Sequence, residues 1–414
     1  MKKQILAACI TSSVIFLTAC GGNDDAKVTY VTDAEKVPLN NIQNPVVAVK
    51  SYLKNDDVLS NVSAERSVID YKMLGVDGTE TIATTLLFTP NTLPPKSGWP
   101  IVVWAHGTTG VADICAPSQR GLQGTEYFIA QLLAAGYVVV APDYEGLGSQ
   151  GSHPFLNVKS EAFSITDAVV AARDYLNKQG KTTSKQWLSI GHSQGGQAVL
   201  GAAEYASRAQ LDYKGTIAIA PASNLEAVLT NGEKAVANAP TDIQITTYEG
   251  LDTFTSLIVA GLQGHKNTVS YMQAFKPNLA AVATKAETEC YESFRNSIGS
   301  SMKNYADSNN NSLSGYGRLQ DNFLNISVVK TFLEKESQPL QEKVSTPIII
   351  YQGSVDTIVP KSATDGLVAS STLKGIQINY KTDKDELVPW THTTVYTSNF
   401  ANFMQDVKTL IPIQ

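Results

Sequence analysis

Trp187-Leu188-Ser189-Ile190-Gly191-His192-Ser193-Gln194-Gly195-Gly196 is the stretch that decides the fold. A short apolar run ends in Gly-x-Ser-x-Gly, and a helix-like stretch begins at Gln194. Strand, sharp turn and helix is the setting in which a serine hydroxyl is presented at the end of a strand. Alone, that hydroxyl is a poor nucleophile. It needs exposure on a tight turn, a base beside it, and donors for a developing oxyanion. Gly191 and Gly195 suit such a turn, because a Cβ at either position would strike the neighbouring strand or helix.

Outward from this point, strands and helices alternate. Residues 101–105, 137–141 and 215–220 are short apolar runs of the kind buried in parallel sheets. Helical spacing runs through 124–135, through 161–176 with Phe163, Ile165, Val169, Val170 and Leu176, and through 194–206. Before these, 67–74 and 81–89 read as two strands joined by the turn Gly75-Val76-Asp77-Gly78. The alternation predicts an α/β fold with a mostly parallel, doubly wound sheet.

After about residue 223 the alternation stops. Residues 224–345 read mainly as helical pieces, among them 224–229 and 327–334. Strands resume at Pro347-Ile348-Ile349-Ile350-Tyr351 and at 375–380, and a closing helix is expected over 393–410. The expected organisation is a core of 46–223 and 346–414, with 224–345 a helical cap inserted between two late strands. Such a cap would cover the carboxyl ends of the strands, where open α/β sheets bind ligands.

The N-terminus reads as an export segment. Lys2 and Lys3 precede an apolar run, residues 5–16, that is too short to span a bilayer comfortably. Leu17-Thr18-Ala19-Cys20 has the form of a bacterial lipobox. Residues 1–19 are therefore expected to be a lipoprotein signal peptide, Cys20 to carry lipid, and polar 20–45 to serve as a tether. This predicts a protein of the bacterial cell envelope held to a membrane by its N-terminal lipid, and the absence of Asp directly after Gly21 suggests, by analogy with lipoproteins of enteric type, the outer membrane. Of four cysteines, Cys115 and Cys290 then remain free of those roles, and an oxidising compartment favours bridging such a pair. A formal charge of −6 and no basic stretch argue against a nucleic-acid partner. Isolated cysteines and scattered histidines lack metal-ligand spacing, so no metal is expected.

Ser193 needs a base, and the base needs an acid to hold its tautomer. In this architecture the chain order is serine, acid, histidine. Of five histidines, His106 and His192 adjoin glycines in other motifs, His153 precedes the serine, and His265 falls in the expected cap. His392, between the last strand and the last helix, is the expected base. Asp356, just past the strand ending at Tyr351, is the expected acid. Asp365, Asp383, Asp385 and Glu386 are alternatives, with Asp383 and Asp385 discounted as part of a solvated charged run. Oxyanion donors are expected from the backbone of Gln194 and from the loop His106-Gly107-Thr108-Thr109-Gly110, with Thr108 the first choice and Thr109 the second.

Several segments together resemble the secretory lipase family of the α/β-hydrolases over most of residues 65–410. They are Ala105-His106-Gly107-Thr108-Thr109-Gly110, Cys115-Ala116-Pro117-Ser118, Asp143-Tyr144-Glu145-Gly146-Leu147-Gly148, residues 191–196 and residues 352–360. The His106-Gly107 pair is closer to ordinary esterases than to the fungal members. The resemblance implies hydrolysis of a small-molecule or lipid ester under a helical cap, with a triad on Ser193, Asp356 and His392 and no cofactor. It also implies pairing of Cys115 with Cys290. Two rival readings have specific objections. A prolyl-type serine peptidase resembles proteins with a large β-rich domain ahead of the hydrolase domain, and the stretch between Cys20 and Ile101 is too short for one. An inactive, surface-anchored binding protein on a hydrolase scaffold would be signalled by a missing triad member, and all three candidates are present.

Overall fold

Among the described residues nine strands form one sheet: β1 (Val46–Ser51), β2 (Ser63–Leu74), β3 (Glu80–Pro90), β4 (Trp99–Ala105), β5 (Val138–Pro142), β6 (Thr183–His192), β7 (Asp212–Ile219), β8 (Ile348–Gln352) and β9 (Ile378–Thr382). The structure is a computed structural model that describes residues 37–54, 57–266, 269–384 and 386–413. The order across the sheet is β1-β2-β3-β5-β4-β6-β7-β8-β9. Pairing is antiparallel from β1 to β5 and parallel from β5 to β9. The expected hairpin is present, closed by Gly75 N–H donating to Thr79 O at 2.7 Å. Every residue of β4 and β5 is buried, as parallel strands covered on both faces require.

The longer helices are α1 (Glu126–Ala134), α2 (Val158–Lys178), α3 (Gln194–Glu204), α4 (Leu225–Val236), α5 (Thr241–Lys266), α6 (Tyr291–Ser308), α7 (Lys361–Leu373) and α8 (Phe400–Leu410). One face of the sheet packs Phe163 and Ile165 of α2 and Val199 of α3 against Ile101, Val103 and Val140. The other packs Phe128 of α1 and Phe403 of α8 against Val102, Trp104 and Val139. Helices α4, α5 and α6 fall between β7 and β8 and share a separate core that includes Leu225, Leu257, Phe294 and Ile298. Inside it the buried Asp252 carboxylate accepts two N–H bonds from Arg318 at 2.7 and 2.6 Å.

The structure departs from the sequence reading in three places. Strand β1 was not expected; it lies at the sheet edge, largely exposed, so it carries little hydrophobic signal. The described end of the expected tether, 37–45, is tied to the core by hydrogen bonds. Asn40 Nδ2 donates to Asp167 at 2.8 Å, and Arg208 donates to Pro38 O at 2.7 Å. Third, the closing helix is broken into Thr394–Thr397 and Phe400–Leu410. At the break Asn399 Nδ2 donates to Val395 O at 2.9 Å, a side chain competing for a backbone acceptor. The expected signal peptide, Cys20 and residues 20–36 of the tether lie outside the described residues. Among the described residues no helix is long and apolar enough to cross a membrane.

Candidate active site

Ser193 stands between β6 and α3 with φ 58° and ψ −116°, a strained conformation for a residue with a side chain. Strain is tolerated because the turn is fixed on every side. Ser193 N–H donates to Ile219 O of β7 at 2.8 Å, and Ser193 O accepts from Gln197 N and Ala222 N at 3.1 and 3.2 Å. The two glycines act as expected, and the structure names their neighbours. A Cβ on Gly191 would overlap the carbonyl of Gly195, and a Cβ on Gly195 would overlap the carbonyl of Ala105 on β4. The serine therefore rides on a turn that only glycines permit.

Asp356 and His392, the expected acid and base, meet at the same sheet edge. Asp356 lies four residues beyond β8, buried, with its carboxylate fully engaged. One oxygen accepts N–H bonds from Ile358 and Val359, both at 2.8 Å. The other contacts His392 Nδ1 at 2.7 Å and accepts from Gln352 Nε2 at 3.2 Å. A carboxylate can only accept, so His392 carries its proton on Nδ1 and leaves Nε2 with a lone pair. His192, the neighbour of Ser193, donates from Nε2 to the His392 carbonyl at 2.9 Å, and the two rings lie 4.7 Å apart between centroids. Burial, with the adjacent His392, pushes the His192 imidazole down to about 3, so it is a neutral support. Ser193 Oγ has no hydrogen-bond partner among the described residues, and such contacts commonly close only when substrate is bound.

The loop after β4 folds onto this turn. A Cβ on Gly107 would stand 3.5 Å from His192 O and 3.8 Å from Ser193 Cβ. Thr108 lines a cavity of about 280 Å³ together with Ser193 and Gln194. Leu225, Leu229, Leu251, Phe254 and Ile258 of the cap form its apolar wall. Thr109 does not line that cavity, and its carbonyl accepts from Tyr291 N of α6 at 2.9 Å. Of the two loop candidates, Thr108 is the one that lines the cavity with Ser193. Cys115 and Cys290 form a disulfide with Cα atoms 5.3 Å apart, joining the segment after this loop to the start of α6.

The alternatives to Asp356 are placed elsewhere. Asp365, on α7, pairs with Lys361 at 2.7 Å and accepts from Tyr380 OH at 2.8 Å. Glu386 is exposed, and Asp385 lies outside the described residues. Asp383 corrects the sequence reading. It is buried, not solvated, and accepts from Ser354 Oγ at 2.8 Å, Ser354 N at 3.1 Å and Trp390 N at 2.5 Å. Burial alone would raise its pKa, but these bonds hold it below the ordinary carboxylate range. It pins the Asp356 loop to the segment that carries His392. Gln352 was also missed as a support. It braces Asp356 while its own oxygen accepts from Thr364 at 2.7 Å. The only signal for it was its place at the head of the 352–360 segment. Among the described residues no group of three or more His, Cys, Asp or Glu is placed to hold a metal ion.

Comparison with known proteins speaks to the family and the fold. The secretory lipase family model matches residues 118–402. None of the curated protein sequences matches the chain. Among solved structures, Candida antarctica lipase A in its closed state superposes with a TM-score of 0.66 at 17% identity, covering 89% of this chain and 82% of that one. A ligand-bound form of the rice cell wall degrading esterase LipA from Xanthomonas oryzae gives 0.63 at 18% identity, covering 89% and 99%. At such identities the likeness speaks for the fold, an α/β-hydrolase.

Proposed function

The chain belongs to the secretory lipase family, and from that membership and the site geometry we propose that it hydrolyses carboxylic esters through an acyl-enzyme. Ser193 attacks the ester carbonyl. His392 Nε2 takes the serine proton and returns it to the leaving alcohol, and Asp356 holds the imidazole and stabilises its charged form. The N–H groups of Thr108 and Gln194 receive the oxyanion, the latter as a free first-turn donor of α3. Water then attacks the acyl-enzyme by the same route in reverse. The apolar cavity wall supports an acyl chain as the group beneath the cap, and hence a lipid or other hydrophobic ester as substrate.

One observation carries this reading: the 2.7 Å contact between His392 Nδ1 and the buried, fully bonded Asp356, at the edge where Ser193 stands strained on its turn. Labelling with a fluorophosphonate, followed by a panel of p-nitrophenyl esters and aminoacyl-proline amides, tests it. The protein should label and cleave esters in preference to amides. Ser193→Ala should neither label nor turn over, with kcat down by roughly 10⁴ to 10⁶, while its melting temperature stays close to wild type. Retention of most kcat by that variant would overturn the proposal.

A further inference from the structure

Beneath the oxyanion edge lies a polar cluster that the proposed mechanism does not use. Gln194, the first residue of α3, is buried with its side chain turned down into the protein. Its Nε2 donates to Glu161 Oε1 of α2 at 2.8 Å and lies 2.9 Å from His153 Nε2. His153 Nδ1 lies 2.9 Å from the Glu145 carbonyl, which can only accept, so the proton sits on Nδ1 and Nε2 accepts from Gln194. Both amide hydrogens of Gln194 are thereby fixed. Glu161 Oε1 also accepts from Leu156 N at 3.1 Å, and Leu156 lines the cavity above Ser193.

We propose that Glu161 and His153 are positioning residues that hold the Gln194 side chain from below, and so fix its backbone N–H as an oxyanion donor. This rests on the reading of Gln194 as that donor. A plain packing role fits the cluster poorly. Glu161 Oε2 and Gln194 Oε1 are both buried without a partner among the described residues. Each such group is a cost to stability that an apolar trio of the same shape would not carry. Polar groups kept at a stability cost belong to sites where geometry matters more than stability.

The cluster works with Glu161 as the neutral acid. Burial pushes its carboxyl up to about 8, against the pull of the bonds from Gln194 and Leu156, and burial pushes His153 down to about 3. Around Glu161 the titratable groups are His153 and Tyr144, with His106 and His265 beyond His153, and with Glu145, Asp143 and Asp167 further along the buried layer and Tyr71 across on β2. The buried cation of that layer, Arg208, is held by Asp167 through two bonds. Ionised Glu161 is therefore uncompensated, and its charge at the foot of Gln194 opposes an oxyanion forming at the N–H above it. Activity falls as pH rises through the Glu161 pKa.

Glu161→Gln, Glu161→Ala and His153→Leu test this, read by kcat, KM, pH profile and affinity for an alkyl boronic acid that adds to the serine. Glu161→Gln keeps a neutral acceptor. It should hold kcat at pH 7 within about threefold of wild type and lose the alkaline limb. Glu161→Ala and His153→Leu should lower kcat roughly 10- to 100-fold and weaken the boronate in parallel, with KM unchanged. An unchanged kcat in Glu161→Ala, or an alkaline limb unmoved in Glu161→Gln, overturns the inference. The second result is decisive even where the alanine protein does not fold. Failure of the parent reading is separate: it would show as activity in Ser193→Ala.

Discussion

The Cys115–Cys290 bridge closes a loop of 175 residues, which sets how much its loss should cost. In the chain-entropy relation a loop of that length loses roughly 17 to 18 cal/mol/K on closure in the unfolded state, or about 5 kcal/mol at 25 °C. Residual contacts in the unfolded chain lower the loss below that ceiling, while Tyr291 N–H bonded to Thr109 O keeps the cap on the loop after β4 in the native state with or without the bridge. We expect Cys115→Ala/Cys290→Ala to unfold about 3 to 5 kcal/mol more easily. Urea unfolding followed by tryptophan fluorescence and by far-UV circular dichroism measures this. The two probes should shift together, since the bridge acts on the chain from Val37 onward as one compact unit. Wild-type protein with its disulfide reduced is the control, because it keeps both sulfur atoms in their buried places. If the double variant loses stability and reduced wild type does not, the cost belongs to the lost side-chain volume. A loss below about 1 kcal/mol in both would refute the loop-closure reasoning for this protein.

Two further outcomes follow from the cavity and from the histidines. Gly250 of α5 lines the cavity, and a Cβ there would meet nothing within 4 Å. Gly250→Leu should therefore fill acyl space while improving the helix. Hydrolysis of p-nitrophenyl laurate should fall at least roughly tenfold relative to the butyrate, with melting temperature unchanged or higher; an unaltered chain-length profile refutes the assignment of the cavity. In acid, burial keeps His106, His153 and His192 neutral down to about 4, 3 and 3. Those three histidines are therefore excluded as the source of any acid limb in kcat/KM above about pH 5, where the buried carboxyls Asp143 and Glu204, raised to about 6 and about 7, also change charge. His265→Gln should leave that limb in place, and a displaced limb would remove His392 from the role of base.

How much of this was legible depends on whether a residue's partners lie near it in sequence. β4 and β5 are buried on both faces, so their continuous apolar runs announce a parallel sheet. Strand β1 touches the sheet through β2 alone and leaves no such mark. Within the cap, α5 runs 26 residues through Thr246, Thr247, Gly250, Thr253 and Thr255, a composition poor in helix formers. The structure shows what offsets it. Thr246, Thr253, Thr255 and Ser256 donate their hydroxyls to carbonyls four residues back at 2.6 to 2.9 Å, and the buried Asp252 finds Arg318. Those partners appear only after the helix has formed and docked.

The same distinction divides the site itself. Ser193, Asp356 and His392 could be placed because each follows a strand, and strand ends in a parallel sheet share an edge. What holds them could not. Asp383 looked solvated because Lys384 and Glu386 adjoin it, yet the groups that bury its charge are Ser354, 29 residues back, and the peptide of Trp390. His153 was set aside for preceding the serine, although its ring reaches Gln194 across 41 residues. Each proposed component of the site has its own support: the His392 segment through Asp383 and His192, Asp356 through Gln352 four residues before it, the Thr108 loop through the disulfide and Tyr291, and Gln194 through Glu161 and His153. Donors and bases work best when their geometry is paid for in advance of the reaction, by groups whose own positions are locked. Here those groups arrive from separate turns of the chain. The reacting atoms are therefore local features of the sequence, while their alignment is a property of the whole fold.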